Sequence, residues 1–216
     1  MEKSITVRGV GKVSVKPDTA ILTLALSALD KKYDAAMALA EKQLDAVCES
    51  FVKAGFGKDE VKTVDFHVVA EKKNVPDMKG NYSTVFVGYR CSHTLKLTFD
   101  LDAEKLGKAI AAATACTASP ELSVTFTVKD KSAVSAEVLE AAAKSAREKA
   151  SVLTAASGVR LGELVKIDYN FAELDVQSPT RFLAYNADSG VTMRSMNIEP
   201  DDINVSDSVA FTWTIA

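Results

Sequence analysis

Apolar and polar residues alternate along residues 4–26, and the alternation changes phase midway. Ile5, Val7, Val13 and Val15 share the odd-numbered positions with Gly9 and Gly11, while Thr6, Arg8, Lys12 and Ser14 take the even ones. After Pro17-Asp18 the apolar row continues at Ala20, Leu22, Leu24 and Leu26, which are even. Side chains of a strand point alternately to its two faces, so a run cannot switch parity without a bend or bulge. Pro17 marks the break, because it has no N–H to give to a ladder. The pattern predicts a long, broken first strand that serves two pairing partners. Gly9-Val10-Gly11 lies inside the alternation and lacks a third glycine, so it does not match a phosphate-binding loop that opens a helix. It predicts close approach of another backbone, or a bulge.

The clearest helical signal lies at 132–158. Leu139, Ala142, Ala146, Ala150 and Leu153 recur at three- and four-residue steps, with Val138 and Ala156 widening the stripe. Glu137, Glu140, Lys144, Arg147 and Glu148 fall mostly on the other side. Ser132 or Ser135 is the expected N-cap, and Gly158 the left-handed residue past the last turn. A face of alanines lets a helix approach a sheet closely. It suits packing on the chain's own sheet, with contact to a partner helix as the functional alternative. A strand with Val165, Ile167, Tyr169 and Phe171 inward is expected to follow.

Between these landmarks the chain reads strand, helix, strand, strand, helix, strand. Asp30 is the expected cap of a helix with the stripe Tyr33, Met37, Ala40, Leu44, Val47 and Phe51, ended by Gly55 and Gly57. Val64, Phe66, Val68 and Ala70 predict a strand, and a polar loop with Pro76 and Gly80 follows. Residues 82–99 predict one strand long enough to be twisted or bulged. Asp100 or Asp102 starts a short helix carrying Leu106, Ala109, Ile110 and Ala113, which Ser119-Pro120 breaks. Leu122, Val124, Phe126 and Val128 form another strand, and Ile203, Val205, Val209, Phe211, Trp213 and Ile215 the last. The fold class is therefore α+β: helices on an antiparallel-rich sheet, a split βαβ segment, and a C-terminal α-β-β extension. The chain is read as one domain, 1–216, with a possible subdivision at 1–130 and 131–216. Helix, glycine and strand recur at 34–69 and 135–171, which records either a duplication or a common way of laying a helix on a strand.

Composition removes several classes of function. Of the 216 residues, 25% are charged and the net charge is -3, with scattered lysines, which excludes the concentrated basic face a nucleic acid needs. The segment Val85-Phe86-Val87-Gly88-Tyr89-Arg90 does not match the glycine-aromatic pattern of RNA-recognition modules. No apolar run reaches the length of a membrane span. The start Met-Glu-Lys-Ser leaves no room for a signal peptide, and the three cysteines have no Cys-x-x-Cys spacing. The chain as written is expected in the cytoplasm, or outside it if a leader was trimmed.

Chemistry-bearing residues are sparse. His93 sits on the apolar row of its strand, which suits a hydrogen-bonded core histidine, and His67 alternates outward beside Asp65. No His-x-x-x-His, Cys/His cluster or Gly-x-Ser-x-Gly elbow is present, so no catalytic residue, cofactor or metal is assigned. Asp201, Asp202 and Asp207 suit a solvated turn better than a cation site. Cys116 ends a helix and is the expected redox-sensitive thiol. Residues 172–202 show no clear periodicity yet carry Phe182, Leu183, Tyr185, Met193 and Met196. Such a stretch either folds back on its own domain, in part as a hairpin, or packs on a neighbouring subunit.

Two stretches resemble the SIMPL-domain family. ITVRGVGKVSVKPDTAILTLAL is similar to its N-terminal signature, and EVLEAAAKSAREKASVLTAASG to its alanine-rich helix. VGYRCSHTLKLTF and INVSDSVAFTWTI share its character, so the likeness covers nearly the whole chain. Pro200-Asp201-Asp202-Ile203 stands where the family often has Pro-Gly. The resemblance implies a protein like bacterial periplasmic or surface immunogenic members, some of which form rings or channel-like oligomers. Others are linked to oxidative-stress tolerance or, in eukaryotes, to kinase-linked signalling. No catalytic residues carry over. The resulting expectation is a non-enzymatic, self-assembling homo-oligomer with a scaffold or stress-related role. The alternative is a small-ligand or enzymatic domain with a pocket near 172–202.

Overall fold

A computed structural model of the chain describes residues 3–76, 82–170, 173–184 and 199–216. The elements are β1 (Ser4–Val15), β2 (Thr19–Asp30), α1 (Tyr33–Lys53), β3 (Val61–Pro76), β4 (Tyr82–Asp100), α2 (Ala103–Thr114), β5 (Glu121–Thr127), α3 (Lys131–Ala156), β6 (Leu161–Asp168), β7 (Gln177–Ala184) and β8 (Ile203–Ile215). They form a three-stranded sheet, β1-β8-β6, and a five-stranded sheet, β3-β4-β2-β5-β7. The α+β reading holds. The chain does not divide at one point near residue 130. One compact unit comprises Met1–Asp18, Thr127–Pro179 and Pro200–Ala216, and the other Thr19–Phe126 and Thr180–Glu199.

The phase change at Pro17 has a simple structural meaning. β1 pairs antiparallel with β8 along its whole length, from Ser4 opposite Thr214 to Val15 opposite Ile203. β2 pairs antiparallel with β4, from Thr19 opposite Asp100 to Asp30 opposite Tyr89. The broken strand is two strands in two sheets. Asp18 pins the corner, donating its N–H to Thr127 O at 3.1 Å and accepting from Lys129 N–H at 2.8 Å.

In the first unit α3 lies directly on β1. Its buried face is Val134, Val138, Ala142, Ala146, Ala150 and Thr154, at steps of four. Leu153, expected on that stripe, is half exposed; the steps of four carry the stripe to Thr154, whose hydroxyl is satisfied by Ala150 O at 2.9 Å. A Cβ at Gly9 would overlap Ala142 O and stand 2.7 Å from Ala146 Cβ; one at Gly11 would overlap Val138 O and stand 2.8 Å from Ala142 N. Helix and strand meet backbone to backbone, which only glycine on one side and alanine on the other allow. Val7, Val209, Phe211 and Trp213 fill the core beside this contact, the last two stacked at 5.6 Å. The N-cap is Asp130, not Ser132 or Ser135: its carboxylate accepts from Ala133 N–H at 2.9 Å, a bond worth about 1 kcal/mol.

The second unit carries the split βαβ segment, β2-α1-β3-β4-α2-β5, with sheet order β3-β4-β2-β5. Its core gathers Leu22, Leu24, Val47, Phe51, Leu95, Leu97, Val124 and Phe126, with α1 and α2 on the inward side of the even-numbered β2 residues. Asp102 caps α2 through Lys105 N–H at 2.7 Å. Asp30 does not cap α1; it accepts from Lys32 N–H at 2.8 Å, and Lys32, the N-cap, makes no side-chain cap bond. α1 and α3 end alike, with Gly55 and Gly158 at positive φ. In each, the N–H groups of the glycine and the next residue return to carbonyls of the last turn, at 3.0 Å for Gly55 and Phe56 and at 3.2 and 3.1 Å for Gly158 and Val159. In each, the strand that follows is the edge of its sheet. The recurrence seen in the sequence is thus a recurrence of structure.

Four expectations are corrected. Residues 71–76 are not a loop: β3 runs to Pro76, pairing with β4 as far as Tyr82; the irregularity at Glu71/Lys72 leaves Val87 of β4 as an extra residue, which bears out the bulged reading of residues 82–99, and a second at Thr63/Asp65 leaves Val64 of β3 extra. Val64 and Phe66 are not inward but 58% and 43% exposed, because α1 packs on β2 and β4 and leaves β3, the neighbouring edge strand, largely uncovered. Val165, Ile167 and Tyr169 are exposed on β6 for a like reason, since α3 packs on β1 and β8, and Phe171 lies outside the described residues. The stretch read as aperiodic contains β7. Val176, Ser178, Thr180 and Phe182 alternate inward there, and the polar members of that row, with Pro179, hid the strand from an apolar pattern.

Candidate functional site

Among the described residues, the β6 edge of the three-stranded sheet has no strand beyond it and carries several exposed apolar side chains. Among the described residues β6 pairs with β8 alone, through Leu164 opposite Trp213 and Ile167 opposite Phe211, with Val165 as an extra residue between Leu164 and Lys166. Leu164, Val165 and Ile167 are 48%, 59% and 54% exposed, and Val152 and Leu153 on the last turns of α3 are 67% and 50% exposed. A monomeric protein scatters such side chains; here five of them sit on one strand and one helix end. Charges interrupt the row: Glu163, and Lys166 paired with Asp168 at 2.6 Å. At the end of the strand Tyr169 donates its hydroxyl to Asp207 at 3.2 Å; desolvation, and then the Asp207 charge, push the phenol above its usual range.

The other unit has an open groove of about 510 Å³ beside α1. Asp34, Met37, Ala38, Ala40, Glu41 and Leu44 form one wall, and Phe66 of β3 and His93 of β4 line the sheet side. His93 is 6% exposed, and its Nε2 is 2.8 Å from Thr63 Oγ1. Phe66 meets the imidazole edge to face at 5.1 Å. The core-histidine reading is borne out. Burial pushes the imidazole below its ordinary 6.5. The unfolded chain then takes a proton near 6.5 that the folded chain resists, so stability is full above that pH and falls as pH drops below it. Urea midpoints should decline from pH 7.5 to pH 5 more steeply in the parent than in His93→Gln; equal slopes would refute this.

The other sequence candidates separate. Cys116 is 5% exposed within the core, so its reading as an accessible thiol is corrected: the turn after α2 folds it inward. Burial pushes the Cys48 and Cys91 thiols up. Phe182 packs in part against its own unit's core, and Leu183 is 56% exposed on β7, the opposite edge from β3. Tyr185, Met193 and Met196 lie outside the described residues. His67 is exposed and 2.8 Å from Asp65. Asp201 accepts from Asp202 N–H at 2.9 Å. Among the described residues no three His, Cys, Asp or Glu side chains converge as a metal site, and no helix is long and apolar enough to cross a membrane. The groove beside α1 was missed because its parts lie on three elements that only the fold brings together.

The family model for SIMPL, described as a protein of unknown function (DUF541), matches residues 5–213. The chain belongs to the SIMPL family. No curated protein matches it. The match spans both sheets of the SIMPL chain, from β1 into β8, so the interleaved two-unit architecture falls within the family's own boundaries.

Proposed function

We propose that this SIMPL chain is a non-catalytic assembly domain whose copies associate through the β6 edge. The observation that carries the reading is the edge strand β6, on which Leu164, Val165 and Ile167 are exposed, in a unit whose α3 also exposes Val152 and Leu153. An edge strand offers unpaired N–H and C=O groups, and charges on such a strand ordinarily discourage pairing. The charges of β6 are self-complementary. Antiparallel pairing of two copies about the Leu164–Val165 peptide sets Glu163 of each against Lys166 of the other, as a two-fold interface requires.

The test is solution mass by light scattering at several concentrations. Glu163→Lys alone and Lys166→Glu alone should each weaken association about fivefold, the size of a partly exposed ion pair. The double reversal should restore it. A strictly monomeric parent chain would refute assembly; an assembling chain indifferent to all three variants would move the interface away from β6.

A further inference from the structure

We propose that the groove beside α1 binds an organic amine with an apolar body, best a linear diamine. This is a separate site from β6 and does not depend on self-association. The groove's volume of about 510 Å³ falls in the range of small-ligand sites. Its chemistry is one-sided. Met37, Ala38, Ala40, Leu44 and Phe66 give an apolar lining, the polar lining residues are Asp34, Glu41 and His93, and among the described residues neither lysine nor arginine lines it. A carboxylate ligand would meet two like charges and no cation. An ammonium would meet two carboxylates and an aromatic ring, which attracts cations.

The spacing narrows the class. Asp34 and Glu41 lie seven residues apart on α1, about 10.5 Å along the axis and close to two turns, hence on one face. Met37, Ala38 and Ala40 lie between them, with Phe66 and His93 across the groove. Two anionic ends with an apolar middle complement a chain of methylenes with an ammonium at each end. His93 adds no competing charge at neutral pH, because its burial favours the neutral ring. The packing explains why the groove exists. α1 packs on β2 and β4, whereas β3 lies at the sheet edge, so Phe66 stays 43% exposed.

The test titrates 1,8-diaminooctane, octylamine and octanoate into the full chain by calorimetry, with methyl NMR of Met37 as the local reporter. The expected order is diamine, then monoamine about fivefold weaker, as for loss of one exposed ion pair, then octanoate unbound. Asp34→Asn and Glu41→Gln are conservative changes on an exposed helix face and should each reduce diamine affinity about fivefold, leaving octylamine less affected by one of the two. Phe66→Ala should weaken both amines. Equal binding of octanoate, or no saturable signal at millimolar diamine, overturns the proposal. So does binding that leaves the Met37 methyl unmoved or is indifferent to both carboxylate variants. The β6 charge reversals should not alter amine affinity.

Discussion

Gly9→Val is expected to destabilise the chain by about 3 kcal/mol or more, the upper end of what forced overpacking costs. The reason lies in what the new side chain meets. At Gly9 the obstacles are Ala142 O and Ala146 N, the backbone of α3, with Ala146 Cβ beside them. Flexible side chains can swing away from an intruder; helix backbone cannot without breaking its own hydrogen bonds. Truncating Ala146 to glycine should therefore fail to rescue, because Ala142 O remains in the way. Gly11→Val should behave alike, against Val138 O. Gly107→Ala is the matched control: its Cβ meets nothing within 4 Å on α2, and it should stabilise by about 1 kcal/mol from helix propensity alone. Urea unfolding followed by circular dichroism measures all of these. A Gly9→Val midpoint equal to that of the parent would show that α3 does not sit on β1 as described.

Phe51→Ala should cost about 3–5 kcal/mol, as for other buried phenylalanines. Phe51 is 1% exposed at the end of α1 and meets Phe56 at 5.6 Å in an edge-on contact; Phe56 in turn lies 6.0 Å from Phe99. Its carbonyl also accepts the Phe56 N–H that closes the helix end. The alanine variant keeps that backbone bond but leaves a void bordered by strand side chains fixed in a ladder, so little collapse can offset the loss. Amide exchange should quicken most across α1, β2 and β4, the elements of its core. A loss below about 1 kcal/mol would mean the aromatic chain is not packed as found.

The legible features of this chain were those with a local cause. The parity change at Pro17 gave two strands because a ladder needs N–H groups and fixed faces. The paired glycines gave close approach because nothing else fits there. Ala142, Ala146 and Ala150 lay on the buried face because helical spacing alone puts them there. His93 was legible as a core histidine from its place in an apolar row. The caps of α1 and α3 were misread because several acceptors lie within a few residues, and the turn geometry chooses among them. β7 was missed because its inward row includes Ser178 and Thr180.

The sequence by itself determined where the helices and most of the strands run, which faces are apolar, and where chain direction must change. Only the tertiary structure decided which apolar faces are covered. Val64, Phe66, Val165 and Ile167 alternate as convincingly as Val124, Phe126, Val205 and Phe211, yet the first four are exposed and the last four buried. The difference is helix cover: β1 is an edge strand too, yet α3 lies on it and buries Val7, whereas α3 packs on β1 and β8 and leaves β6 largely uncovered, and α1 packs on β2 and β4 and leaves β3 largely uncovered. Which strands a helix covers is set by packing between residues far apart in the chain, and no local period records it. The β6 edge and the groove beside α1 both follow from that non-local choice.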